Sequence, residues 1–117
     1  MIHRSSENPI LSPSQESWES EAAFNGCPVV DNGKTHLLYR AVAADHTSSI
    51  GYAESTDGIH FNKRRQFITP EKNWEKYGCE DPRVTKLNGK FFIFYTALST
   101  YPFSRNAETT GACPRDG

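Results

Sequence analysis

The chain has 117 residues, with 13 Lys and Arg against 14 Asp and Glu, and a formal net charge of −1 with neutral histidines. That balance argues against a dedicated nucleic-acid binder, which carries a strongly basic face, and no apolar run approaches the roughly 18 residues that cross a membrane. Leu, Ile, Val and Phe supply 22 residues; a share that low without high net charge marks a chain with too little core of its own rather than a disordered one.

Residues 1–26 are polar, with Leu11, Trp18 and Phe24 as the large apolar anchors, and read as an extended lead-in and a loop. They lack the apolar stretch of a secretory signal. Cys27, Cys79 and Cys113 make an odd count with no Cys-x-x-Cys, so neither a disulfide framework nor a metal site is supported and a reducing cytoplasm is expected. From there β signals dominate. Pro28-Val29-Val30 closes in the turn Asp31-Asn32-Gly33-Lys34, strands are predicted over 35–42 and 48–53, and the Asp57-Gly58 turn leads into a fourth strand beginning Ile59-His60-Phe61. With no long helical periodicity, the class is all-β.

The chain repeats itself. Asn32-Gly33-Lys34 recurs as Asn88-Gly89-Lys90, Leu37-Leu38-Tyr39 as Ile93-Phe94-Tyr95 and Ala41 as Ala97, all at one spacing, while Pro28 is matched to Pro82 with a two-residue slip. A period near 50 made of short strands is the mark of a β-propeller blade, a four-stranded sheet that stacks on its neighbours around a central channel. Two unrelated hairpins in a sandwich are the alternative. Phe91-Phe92-Ile93-Phe94-Tyr95 is apolar at every position, as a strand buried on both faces requires. A third strand of the second blade is due near 104–109, but residues 104–117 contain no Val, Ile, Leu, Met, Phe, Tyr or Trp. The expected organisation is therefore an incomplete propeller over 1–103, blade one and part of blade two. A polar tail over 104–117 follows, either an authentic disordered tail or sequence read out of frame.

Glu80-Asp81-Pro82-Arg83 is the densest polar cluster. Pro82 is expected to hold Asp81 extended, and Arg83 stands close enough in sequence to influence either carboxylate. The cluster precedes the inner strand of blade two, at the end that faces the channel, where an acid with a raised pKa serves as proton donor; a loop ion pair is the alternative. Asn25 occupies the equivalent place in blade one and offers donor and acceptor groups to sugar hydroxyls, unless it is a turn residue. Arg40 ends an otherwise apolar strand, where a charge has a partner or faces a polar channel, unless it points to solvent. Cys27 and Cys79 read as small buried hydrophobes. His36, His46 and His60 lack ligand spacing and read as structural, and no metal is expected.

These segments resemble glycoside hydrolase family 130, the mannoside phosphorylases and related mannosidases. The likeness is carried by Asn8-Pro9-Ile10-Leu11, Phe24-Asn25, Leu37-Leu38-Tyr39-Arg40-Ala41, Ser49-Ile50-Gly51-Tyr52-Ala53, Ser55-Thr56-Asp57-Gly58-Ile59-His60-Phe61, Gly78-Cys79-Glu80-Asp81-Pro82-Arg83 and Tyr95-Thr96-Ala97. The resemblance implies a five-bladed propeller of which this chain is the first part. It implies Asp81 as the proton donor, Asn25 and Arg40 on the sugar of the −1 subsite, and Glu80 and Arg83 as companions in substrate binding. It further implies a β-mannoside oligosaccharide and inorganic phosphate as partners, no cofactor, and inversion to mannose 1-phosphate with the proton relayed through a sugar hydroxyl. Asn25 is followed by Gly26-Cys27-Pro28 where many relatives have Pro-Gly-Ala, which leaves the linkage open. The basic residues that clamp phosphate belong to the family's later blades. So does any second carboxylate, roughly 6.5–9.5 Å from the first, that activates water in a hydrolase. A phosphorylase is the leading reading, with a hydrolase of the same family or a non-catalytic sugar-binding propeller as alternatives, and the chain by itself is expected to be inactive.

Overall fold

The computed structural model describes residues 1–100. Its strands are β1 (Ala22–Asp31), β2 (Lys34–Val42), β3 (Ser48–Ser55), β4 (Asn62–Ile68), β5 (Gly78–Leu87) and β6 (Lys90–Leu98), and single 3-10 turns stand at Ser17–Glu19 and Asn73–Glu75. β1 to β4 form an antiparallel meander in chain order. β5 and β6 form a second hairpin, joined to the first sheet by one parallel bridge, Ser48 to Gly78. The first four strands are one whole blade and the last two are the inner half of the next.

The repeat is stricter in three dimensions than in the sequence. Shifting the first 3-10 turn, β1 and β2 by 56 residues reproduces the second 3-10 turn, β5 and β6 end for end. Asn32 and Gly33 have φ of 50° and 72°, and Asn88 and Gly89 have 51° and 74°. Positive φ at both central residues is what a two-residue hairpin turn demands, and Asn-Gly meets it at least cost. No slip is needed: with the spacing unbroken, Gly26 stands where Pro82 stands, so the matching of Pro28 to Pro82 is corrected.

Each 3-10 turn delivers a buried glutamate to the tyrosine of its second strand. Glu19 is fully buried and accepts hydrogen bonds from the Tyr39 hydroxyl at 2.6 Å, Ser14 Oγ at 2.5 Å and Arg64 Nη1 at 3.1 Å. Burial, followed by the Glu19 hydrogen bond and charge, pushes the Tyr39 hydroxyl well above the usual tyrosine range. Glu75 accepts from the Tyr95 hydroxyl at 2.9 Å and from the backbone N–H of Glu71 and Lys72 at 3.0 Å. The Ser17-Trp18-Glu19 and Asn73-Trp74-Glu75 pair is thus part of the repeat, although the first triplet sits in the stretch that reads as polar loop.

The core lies on both faces of the first sheet. Leu37, Tyr39, Ala41 and Ala53 pack with Leu11, Trp18, Ala23 and Phe61 on one face. Leu38, Ile50 and Cys79 pack with Tyr52, Ile68, Val84 and Ile93 between the blades. β2 therefore buries consecutive residues, which is why 37–39 reads as a continuous apolar run. Gly51 lies beneath the Tyr39 ring, where a Cβ would stand 2.4 Å from Cζ.

Three expectations change. β1 begins at Ala22, inside the segment assigned to the lead-in loop. Residues 59–61 are not a strand: the Asp57 carboxylate accepts from the backbone N–H of Ile59 and His60 and from the His60 ring, holding the chain in a closed loop until Asn62. β6, expected to be buried on both faces, is largely exposed, with Phe94 at 64%, because among the described residues it pairs with β5 alone. The strand expected near 104–109, the boundary at 103 and the 104–117 tail lie outside the described residues. No helix among the described residues is long and apolar enough to cross a membrane.

Candidate active site

β1 and β5 carry a bulge at the same place, the register of each shifting between Phe24 and Cys27 and between Glu80 and Arg83. The first of the two residues inside each bulge, Asn25 and Asp81, has φ of 51°. Asp81 is therefore in the left-handed region and not extended, which corrects the expectation drawn from Pro82. The extra residue of a bulge is accommodated by such a turn of the backbone, and Asn and Asp tolerate it better than other side chains. The sequence places Glu80-Asp81-Pro82-Arg83 before the inner strand; the structure places it within β5.

The two bulges face each other across the blades. Asn25 Nδ2 donates to Asp81 Oδ1 at 2.6 Å. Arg40, opposite Phe24 in the β1–β2 register, lies with its guanidinium 4.9 Å from the centre of the Phe24 ring. Its Nε donates to Ser48 Oγ at 3.1 Å, its Nη2 pairs with Glu80 Oε1, and its Nη1 stands 3.8 Å from Asp81 Oδ1. Ser48 Oγ donates in turn to Glu80 Oε1 at 3.0 Å. Glu80 is nearly buried, a position a carboxylate holds only with a cation and donors around it. The Asp81 side chain remains 39% exposed.

Four of the five residues singled out in the sequence meet in this cluster: Asn25, Arg40, Glu80 and Asp81. Arg83 does not join it. That side chain is exposed and donates to the Pro82 carbonyl at 2.8 Å, so the cation beside the two carboxylates is Arg40, brought from the other blade. Nearness in sequence misleads here because the bulge reorients the chain between Glu80 and Arg83. Ser48 was missed, since a serine opening a strand carries no signal of its own and the β3–β5 bridge joins residues 30 apart. Cys79 is buried between the blades, and its thiol is pushed up to about 12 by burial and by the Glu75 charge, so it is no nucleophile. His36 bonds the Tyr52 hydroxyl at 2.7 Å. Among the described residues no three His, Cys, Asp or Glu are grouped to hold a metal ion.

Asp81 thus stands on β5 backed by an amide from β1 and a guanidinium from β2. The family model described as β-1,4-mannooligosaccharide phosphorylase matches residues 2–113, and the chain belongs to this family, glycoside hydrolase family 130. Over 112 residues it is 40% identical to the β-1,2-mannobiose phosphorylase of Thermoanaerobacter sp. (strain X514), a match covering 83% of this chain and 37% of that relative. A glycosyl hydrolase from Bacteroides ovatus superposes with a TM-score of 0.71 at 30% identity, over 81% of this chain and 34% of its own. A structure described with the family 130 hydrolases that target β-1,2 mannosidic linkages in Candida mannan gives 0.69 at 30% identity, over 81% of this chain and 33% of its own. The chain thus spans about 37% of the length of the curated relative it matches. The structural neighbours are five-bladed propellers, and the chain corresponds to their N-terminal part.

Proposed function

We propose that the whole protein is an inverting phosphorylase of β-1,2-linked mannosides, with Asp81 as its proton donor. The observation that carries this is the Asp81 carboxyl, half open at the bulge of β5, held on one side by Asn25 Nδ2 at 2.6 Å and faced on the other by Arg40 Nη1 at 3.8 Å. The cluster closes one side of the acid and leaves the other for a sugar. Asn25 and Arg40, which flank the acid, carry N–H groups of the kind that bond the hydroxyls of a mannosyl unit. Glu80, tied to Arg40 and Ser48, serves as frame rather than as a sugar ligand.

In the reaction the bond between C1 and the glycosidic oxygen breaks and a bond from C1 to a phosphate oxygen forms on the opposite face. The Asp81 proton passes to the leaving oxygen, directly or through a hydroxyl of the −1 sugar. A β-mannoside then yields α-mannose 1-phosphate and a shortened acceptor. Phosphate is already anionic, so no second carboxylate is required as base. Support for the linkage comes from the β-1,2-mannobiose phosphorylase at 40% identity.

A hydrolase is the second reading, favoured by the structural neighbour described with β-1,2-mannosidic hydrolases. Both are tested by incubating the whole protein with β-1,2-mannobiose, with and without phosphate, and following the anomeric signals by NMR. Phosphate-dependent α-mannose 1-phosphate is expected. Free mannose released at the same rate without phosphate establishes the hydrolase, and no cleavage of either kind rejects both.

A further inference from the structure

We infer that Ser48 is a positioning residue of the site, fixing the plane of the Arg40 guanidinium so that one arm of its fork is aimed at Asp81. The inference rests on the reading of Asp81 and Arg40 given above and goes beyond it by assigning the group that sets their geometry.

A guanidinium is a rigid planar fork, and two fixed N–H directions determine its plane. Here Ser48 Oγ takes Nε at 3.1 Å and Glu80 takes Nη2, which leaves Nη1 as the arm that faces Asp81. The Phe24 ring at 4.9 Å limits movement out of that plane. Glu80 alone cannot fix the plane, because it meets the fork at the single atom Nη2 and one point of contact leaves the fork free to turn. Ser48 Oγ removes the ambiguity by bonding both partners, accepting from Arg40 Nε and donating to Glu80 Oε1 at 3.0 Å.

The backbone fixes Ser48 in turn. Ser48 is 1% exposed and forms the one bridge between β3 and β5, opposite Gly78. Gly78 has φ of 156°, and a Cβ there would stand 3.0 Å from Ser48 Cβ and 3.2 Å from its backbone N. Glycine at 78 thus lets the strands touch at the point where the hydroxyl is needed. Two residues past Gly78 the chain reaches Glu80. Ser49, the next residue, serves the sheet differently, accepting from Gln66 Nε2 at 3.2 Å, and provides a matched control.

The whole protein is labelled with nitrogen-15, and solvent exchange of the arginine Nε–H groups is followed by NMR, Arg40 being identified by its loss in Arg40→Lys. Arg40 Nε–H is expected to exchange at least about tenfold more slowly than that of exposed Arg4. Ser48→Ala and the near-isosteric Ser48→Cys are expected to remove that protection, and Ser49→Ala to keep it. Equal exchange of Arg40 and Arg4 in the parent chain, or protection that survives Ser48→Ala, overturns the proposal. In the whole protein Ser48→Ala is expected to lower kcat at least about tenfold with KM within about threefold, as misplacement of a reacting group does. Unchanged kcat, or equal losses in Ser48→Ala and Ser49→Ala, also overturns it. Failure of the underlying reading shows separately, as undiminished turnover in Asp81→Asn while the exchange results hold.

Discussion

Blade one and the half-blade that follows it share one plan and meet different fates. β2 and β6 are equivalent strands with the same Asn-Gly turn before them and the same apolar character. Leu37, Leu38, Tyr39 and Ala41 are buried, whereas Phe91, Phe92, Phe94 and Tyr95 are exposed. Trp18 is half-buried against Tyr39 at 6.3 Å, while Trp74 is 62% exposed. The difference lies in the neighbours. β2 has β3 on its far side and Arg64 reaching from β4 to Glu19; among the described residues β6 has neither counterpart. An apolar pattern states what a strand requires, and only the strands beside it decide whether the requirement is met.

The sharpest way to break this equivalence is at the bulges, where position 25 is an amide and position 81 an acid. Asp81→Asn in the whole protein is expected to lower kcat by about 10²–10⁴-fold, the usual yield of general acid catalysis, with KM nearly unchanged. Steady-state kinetics on β-1,2-mannobiose measures it, and a loss below about tenfold removes Asp81 from its role. Arg40→Lys comes next, with an expected loss of kcat/KM of about 10- to 100-fold. A point charge cannot replace a fork that meets Ser48, Glu80 and Asp81 at once, so unchanged kinetics would make Arg40 structural.

The tyrosine–glutamate pairs test the comparison through stability. Tyr39→Phe takes a donor from a fully buried carboxylate and is expected to cost about 1–3 kcal/mol, read from urea unfolding of the whole protein. Tyr95→Phe acts on a partly exposed group that water can replace, so its cost is expected to stay below about 1 kcal/mol. Equal costs would show that the two modules are equally closed.

The smallest effect concerns the thiol between the blades. The Cys79 thiol, raised to about 12 in the fold against about 8.5 for a free cysteine, is deprotonated first in the unfolded chain. Its stabilising contribution is complete below about pH 8.5 and is lost as pH rises toward 12. At pH 8 iodoacetamide is expected to label Cys79 in the folded chain far more slowly than in urea, with mass spectrometry as the readout.

Much of this was legible in the residues. The two Asn-Gly turns and the apolar strands after them gave the spacing of the repeat, because hairpin chemistry is local. Glu80 and Asp81 stood out as the densest polar cluster, Asn25 as its counterpart in the first blade, and Arg40 as the charge that ends an apolar strand. Ser48 and the two buried glutamates were missed for one physical reason, that their partners come from other elements, and Arg83 was misread for a different one. Arg83 looked paired because two acids precede it, yet the bulge parts them. Ser48 looked ordinary because its value lies in a bridge to Gly78. Ile59-His60-Phe61 has strand composition, but Asp57 captures its backbone N–H groups before a neighbouring strand can.

The Ser48–Gly78 bridge also sets how the two blades can move. Farther out they are tied by the Val84 N–H on Cys27 Sγ at 3.4 Å and by Lys86 on Asp31 at 2.7 Å, the last an exposed ion pair worth about 0–1 kcal/mol. The hairpin tips lie about eight residues beyond the bulges, roughly 26 Å at the rise of a strand. A rotation of about 5° pivoting on the bridge would carry a tip about 2 Å over that length, so the outermost tie is strained most. The same rotation would shift Arg40, Glu80 and Asp81, which sit beside the pivot, by a small fraction of that distance. Any such rotation would therefore disturb the outer edges of the blades before it disturbed the cluster beside the bridge.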